Sequence, residues 1–214
     1  MAQFTLPPVY PILDTATLDR LGLDVVTAAE GLIEGRAQIL QIRHKAFWSR
    51  DTFALAEQIA EVCRAAGILF VVDDRADYAA ILKAALHVGQ EDLTPSDARR
   101  VVGPSTILGF STHGPAQMLA AAAEPVDYLA FGPVFPTVSK DRPDPTVGIA
   151  GLREIRALTT KPLVAIGGIT RDNAFTCRNA GADSVAIIAD LYPEPCTKIT
   201  LRDRMTEWQK LMAR

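Results

Sequence analysis

The chain has 214 residues, 49% of them hydrophobic, with 22 basic and 25 acidic side chains and a formal net charge of -3. That balance describes an ordinary core-forming chain, not a disordered one, and the length is one that an α/β barrel fills as a single unit. No global basic field draws in nucleic acid or an anionic membrane surface, so a positive site for an anionic ligand has to be local.

Cys63, Cys177 and Cys196 are widely separated and show no metal-ligand spacing, which fits unpaired thiols in a reducing compartment. Met1–Pro8 lacks a basic segment followed by a long apolar run. No window approaches the ~18 apolar residues of a membrane span, so neither secretion nor membrane insertion is expected. A cytoplasmic location follows by default, and the oligomeric state stays open, a homo-oligomer included.

Eight short apolar runs follow one another along the chain: Val9–Leu13, Ile39–Ile42, Ile68–Val72, Leu86–Val88, Thr106–Phe110, Tyr128–Phe131, Leu163–Ile166 and Val185–Ile188. They are mostly continuous instead of alternating, as a parallel sheet covered on both faces requires. Helical patterns lie between them. Asp51 is placed to cap Thr52–Ala66, where Phe53, Leu55, Ala56, Ile59, Ala60 and Val62 repeat at helical spacing and Gly67 ends the last turn. Asp172–Ala180 ends in the same way at Gly181, and residues 200–213 form a closing helix with Leu201, Met205, Trp208 and Leu211 on one stripe. Alternating strands and helices imply right-handed parallel crossovers. Eight units in this length predict one (β/α)8 TIM barrel over residues 1–214. An open doubly wound sheet is the alternative, but no GxGxxG follows the first run.

Barrel enzymes carry their chemistry at the C-terminal ends of the strands. The residues there are Gln41 to Lys45, Asp73-Asp74, Gly89 to Asp92, Ser111 to His113, Gly132 to Lys140, Gly167-Gly168 and Ile188-Ala189. Arg43 and Lys45 lie two apart and share a face if the strand persists, so they can present a fork and a point charge to one anion. Asp74 and Asp92 end consecutive strands. Two carboxylates beside a diphosphate are a usual way to hold Mg²⁺; without a metal, mutual repulsion would raise one pKa or an arginine such as Arg75 would pair with them. Gly167-Gly168 suits a barrel phosphate site or a plain helix-entry turn. His44, His87 and His113 show no ligand spacing. His87 reads as structural, while His113 suits acid–base work or a helix start equally well.

Taken in order, these stretches resemble the thiamine phosphate synthase family. The motifs are QIRHK (41–45), VDDR (72–75), HVGQEDL (87–93), GFSTH (109–113), DYLAFGPVFPTVSK (127–140) and AIGGI (165–169). The resemblance implies joining of 4-amino-2-methyl-5-hydroxymethylpyrimidine diphosphate to 4-methyl-5-(2-hydroxyethyl)thiazole phosphate by a Mg²⁺-assisted dissociative substitution. It implies Asp74 and Asp92 as metal ligands, and Arg43, Lys45, Ser111 and Lys140 as catalytic. Substrate contacts would come from Gln41, Ile42, Arg43, His44, Lys45, Asp73, Ser111, Thr137, Val138, Ser139, Lys140, Gly168, Ile188 and Ala189. Residues 133–147, Pro-punctuated and bearing Lys140, are expected to close over substrate.

Three positions depart from the family pattern. Asp73 stands where Asn is usual, Ser139 where Thr is common and Ala189 where Ser is common. An ionised Asp73 would oppose the diphosphate unless it joins the metal or meets a cation. Alternative functions are a thiazole tautomerase on the same barrel, a catalytically idle barrel that binds a thiamine-related phosphate, and an unrelated phosphate-handling isomerase. Pro133, where the tautomerase pattern tends to carry His, and the retained Asp74, Asp92, Lys45 and Lys140 favour the synthase.

Overall fold

A computed structural model describes residues 4–137 and 145–213. Its strands are β1 (Val9–Asp14), β2 (Ile39–Arg43), β3 (Leu69–Asp73), β4 (Ala85–Val88), β5 (Leu108–Thr112), β6 (Tyr128–Phe131), β7 (Leu163–Ala165) and β8 (Ser184–Ile187). Each pairs in parallel with its sequence neighbours, and β8 closes on β1 through Val9–Val185 and Tyr10–Ala186. The predicted (β/α)8 barrel is therefore the observed architecture. Its helices are α1 (Thr15–Leu21), α2 (Val25–Glu34), α3 (Arg50–Ala65), α4 (Ala76–Leu82), α5 (Pro95–Val102), α6 (Pro115–Ala122), α7 (Gly148–Arg156), α8 (Ala174–Asn179) and α9 (Lys198–Met212).

Strand alternation divides the apolar residues into two cores. Leu40, Ile42, Val72, Leu86, Leu129 and Val185 face outward and pack beneath the helices. Tyr10, Ile12, Ile39, Val71, Tyr128 and Val164 fill the barrel itself, with Leu6 among them. The strands are apolar on both faces for this reason, and their runs read as continuous.

Several boundaries differ from the sequence expectation. Ser49, not Asp51, caps α3, accepting from the Thr52 amide at 3.2 Å; Asp51 sits in the first turn, where a negative charge suits the helix dipole. The helix expected over Asp172–Ala180 is trimmed to Ala174–Asn179. In α9 the fully buried stripe is Leu201, Met205, Trp208 and Met212, with Leu211 only partly covered. Strand β5 runs two residues later than its apolar run. Thr106 donates to the Val102 carbonyl at 2.7 Å and so finishes α5, while pairing with β6 continues to Thr112–Phe131. That offset places Ser111 inside the barrel and turns Thr112 outward to donate to the Ala130 carbonyl at 2.9 Å.

Gly109, inward on β5, leaves the space that the Tyr128 ring occupies: a Cβ there would lie 2.1 Å from Tyr128 Cζ. Gly109→Ala should therefore destabilise the barrel by about 1–3 kcal/mol through overpacking. A urea denaturation midpoint unchanged from wild type would contradict this packing.

Candidate active site

A cavity of about 990 Å³ opens at the C-terminal ends of the strands. One wall is built by β1, β2 and β3. Arg43, the last residue of β2, turns inward and donates to Asp14, the last residue of β1, at 2.5 Å. Asp14 is 5% exposed and has a second task as the N-cap of α1, accepting from the Thr17 amide at 2.9 Å. The Tyr192 hydroxyl braces the same strand end, accepting from the Asp14 amide at 3.0 Å and donating to the Ile12 carbonyl at 2.8 Å.

Beside this pair Lys45 bridges two adjacent carboxylates, Asp73 at 2.7 Å and Asp74 more closely still. Side chains of neighbouring residues on a strand point to opposite faces, so one Lys can reach both only if the chain departs from strand geometry. It does so at Asp74, where φ is +65° and the Arg75 amide bonds back to the Asp73 carbonyl at 2.8 Å. This γ-turn is costly for a residue with a Cβ. It is what brings both acids into the cavity.

Asp92 reaches the same rim and accepts from the Gly89 amide at 2.7 Å. Burial, reinforced by the neighbouring Asp73 charge, pushes the Asp74 carboxyl up to about 7; Lys45 opposes this and Asp92 adds to it. Burial also works against the Lys45 ammonium, but Asp73 and Asp74 outweigh it and hold the group above its ordinary pKa. The acidic side of the rim thus carries more negative charge than its lysine neutralises. Among the described residues no three His, Cys, Asp or Glu side chains form a complete metal cage. Two carboxylates with oxygen donors only do fit Mg²⁺, which keeps waters and shares phosphate oxygens instead of demanding an all-protein shell.

The cavity floor is a chain of hydroxyls and imidazole. Tyr10 and Tyr128 join hydroxyl to hydroxyl at 2.8 Å, Tyr128 meets His87 Nδ1 at 3.1 Å, and His87 Nε2 meets Ser111 Oγ at 2.8 Å. Burial raises both tyrosine pKa values, keeping these hydroxyls neutral. Gln41 lies across from them and donates to Asp73 at 2.8 Å. His113 points Nδ1 at the Gly132 carbonyl at 2.7 Å; a carbonyl only accepts, so Nδ1 carries the proton.

The far wall comes from the ends of β7 and β8, where Gly167, Gly168, Ile188 and Ala189 border the cavity. Gly167 and Gly168 have φ of +97° and +63°, and a Cβ on Gly168 would lie 2.4 Å from the Pro136 carbonyl oxygen. Asn173 holds this turn, donating to the Gly168 carbonyl at 3.0 Å and accepting from the Thr170 amide at 2.8 Å. Glycine here lets backbone approach an anion that side chains would exclude.

The structure brings Gln41, Arg43, Lys45, Asp73, Asp74, Asp92, Ser111, Thr137, Gly168, Ile188 and Ala189 to one cavity. Among the described residues singled out in the sequence, Ile42, His44 and Arg75 are not on it. Ile42 is fully buried on the outer face of β2. His44 turns aside, with Nδ1 2.8 Å from the Thr15 hydroxyl and its ring edge-on to Trp48. Arg75 pairs with Asp77 at 2.6 and 2.9 Å and stacks on Tyr78, leaving the role of countering the rim acids to Lys45. Val138, Ser139 and Lys140 lie outside the described residues. Asp14 and Tyr128 are not among the site residues expected from the sequence, and His87 is a cavity residue as well as a buried one. The signal for Asp14 was its place at a strand's C-terminal end.

At the mouth of the closed barrel an acidic rim thus faces a glycine-lined one across a single cavity. The sequence profile described as thiamine monophosphate synthase matches residues 9–191. The thiamine-phosphate synthase of Koribacter versatilis is 43% identical over 213 residues, spanning 97% of this chain and 96% of that protein. That of Methanoculleus marisnigri is 43% identical over 175 residues, 80% of this chain and 83% of its own. Among solved structures, the thiamine phosphate pyrophosphorylase of Pyrococcus furiosus superposes with a TM-score of 0.82 at 29% identity, covering 96% of this chain and 95% of that one. The chain belongs to the thiamine monophosphate synthase family, transferases of thiamine biosynthesis.

The Arg43–Asp14 pair is open to a double-mutant cycle. Asp14→Ala and Arg43→Ala should each lower stability, with a coupling of about 1–3 kcal/mol, since the pair is largely buried and one partner left alone is uncompensated. Additive losses would show that the two side chains do not depend on each other.

Proposed function

We propose that the chain condenses 4-amino-2-methyl-5-hydroxymethylpyrimidine diphosphate with 4-methyl-5-(2-hydroxyethyl)thiazole phosphate, giving thiamine phosphate and diphosphate. The observation that supports this reading is one cavity with two differently built walls, each with groups able to serve a phosphorylated ligand. Arg43 and Lys45 stand with Asp74 and Asp92 on one side, and the Gly168, Ile188 and Ala189 backbone borders the other. A single phosphorylated substrate needs only one of them.

In the reaction the methylene carbon–oxygen bond breaks and diphosphate leaves with the electron pair. The aminopyrimidine ring supports the methylene cation, and the thiazole nitrogen lone pair closes the new carbon–nitrogen bond. No protein nucleophile is required. Arg43 and Lys45 meet the charge that gathers on the leaving group, an interaction stronger in the transition state than before it. Lys140 is assigned the same role. Gln41 and Ser111 orient the pyrimidine, and Thr137, Val138 and Ser139 with the far-wall amides seat the thiazole phosphate. The walls hold nitrogen and carbon in line, which saves the entropy of a chance encounter. Asp74 and Asp92 would hold Mg²⁺, which would supply further positive charge for the departing diphosphate.

Asp73 does not stand against the diphosphate as a bare charge. Lys45 and Gln41 occupy its two oxygens, so its negative charge is met inside the protein. Ala189 loses a side-chain hydroxyl at the far wall and leaves the backbone in place.

Purified protein mixed with both heterocycles should release thiamine phosphate and diphosphate in equal amounts with Mg²⁺ and neither with a chelator. Asp74→Ala and Lys140→Ala should each lower kcat/KM by on the order of 10²-fold with the fold unchanged. Wild-type rates in both variants would refute the assignment, and tight binding of the pyrimidine diphosphate without product would mark the barrel as a binding protein.

A further inference from the structure

The geometry points to Asp73 as a positioning residue that fixes which way the Gln41 amide faces and, through it, selects an aminopyrimidine over the corresponding oxopyrimidine. This rests on the pyrimidine diphosphate reading above and specifies how its ring is recognised.

Gln41 and Asp73 are inward residues of neighbouring strands, 4% and 5% exposed. Gln41 Nε2 donates to Asp73 Oδ1 at 2.8 Å, and Lys45 Nζ holds Asp73 Oδ2 at 2.7 Å. A glutamine amide has two orientations of nearly identical shape, which differ only in exchanging donor for acceptor. A carboxylate paired with an ammonium accepts only. Turning the amide over would set Gln41 Oε1 against an Asp73 oxygen, two acceptors facing each other in a buried site. One orientation is therefore latched.

With one Nε2 hydrogen spent on Asp73, Gln41 has its Oε1 and its second Nε2 hydrogen left to serve the cavity it lines. That edge matches a ring carrying an amino donor beside a nitrogen acceptor, the same pairing by which glutamine reads adenine. A 4-oxopyrimidine presents the reverse, an acceptor beside an N–H donor, and fits only the flipped amide that Asp73 forbids. An asparagine at this position imposes no such rule, because it can donate to Oε1 as readily as it accepts from Nε2.

The test is calorimetric binding to the full chain, with Mg²⁺ and without the thiazole phosphate, of two probes: 4-amino-2-methyl-5-hydroxymethylpyrimidine diphosphate and its 4-oxo analogue. Wild type should bind the amino compound at least about tenfold more tightly, because the analogue leaves buried groups unpaired. In Asp73→Asn, and independently in Asp73→Ser should the first not fold, that preference should shrink to within about threefold. A purely structural role would weaken both ligands alike and leave the ratio standing. An unaltered ratio in the folded variant, or no preference in wild type, overturns the inference. The ratio is read without turnover, so failure to form product would count against the proposed reaction and not against the latch.

Discussion

Like charge gathered at the barrel mouth is the constraint around which the rest of the site is arranged. Asp73, Asp74 and Asp92 converge where a single ammonium, Lys45, spans two of them. Partial burial, reinforced by repulsion from Asp73 and to a lesser degree Asp92, raises the Asp74 carboxyl pKa. Such a cluster is retained when something positive completes it. Under the proposed function the completion is shared: Lys45 holds the cluster in the resting state, and a divalent cation would enter with the diphosphate.

The barrel makes this arrangement possible by simple means. Parallel strands of matched register end on one rim, so residues distant in sequence become neighbours. Alternation sends Gln41 and Arg43 inward and Ile42 outward, and a left-handed turn at Asp74 overrides alternation where two consecutive acids are needed on one side. The far wall uses the opposite device. Two glycines at positive φ remove side chains so that backbone, not charge, borders the cavity there. The two walls therefore differ in chemistry as well as in place.

Much of this was legible in the sequence. The eight strands stood out because both of their faces are buried, and the rim residues followed from the rule that barrel chemistry sits at strand ends. What escaped notice has definite physical causes. Strand β5 was read early because its inward and outward polar residues, Ser111 and Thr112, break the apolar run although the ladder continues. The QIRHK stretch was read as a unit, but alternation buries Ile42 and turns His44 aside. Arg75 looked like the natural counter-ion by adjacency, yet the turn at Asp74 directs it to Asp77 and Tyr78. Asp14 lies outside the quoted motifs, and the motif that contains Tyr128 does not reveal its inward partners. Their roles arise only when β1 meets β2 and when inward side chains of β4 and β6 meet inside the barrel.

The assembly of acid, cation and diphosphate at one mouth is tested most directly by metal binding read with Mn²⁺, another hard divalent ion, by electron paramagnetic resonance, with and without inorganic diphosphate. The account predicts that diphosphate tightens Mn²⁺ binding by at least about tenfold, because each supplies ligands or charge to the other, and that Asp92→Ala removes this coupling. Mn²⁺ affinity indifferent to diphosphate, or coupling undiminished in Asp92→Ala, would contradict it.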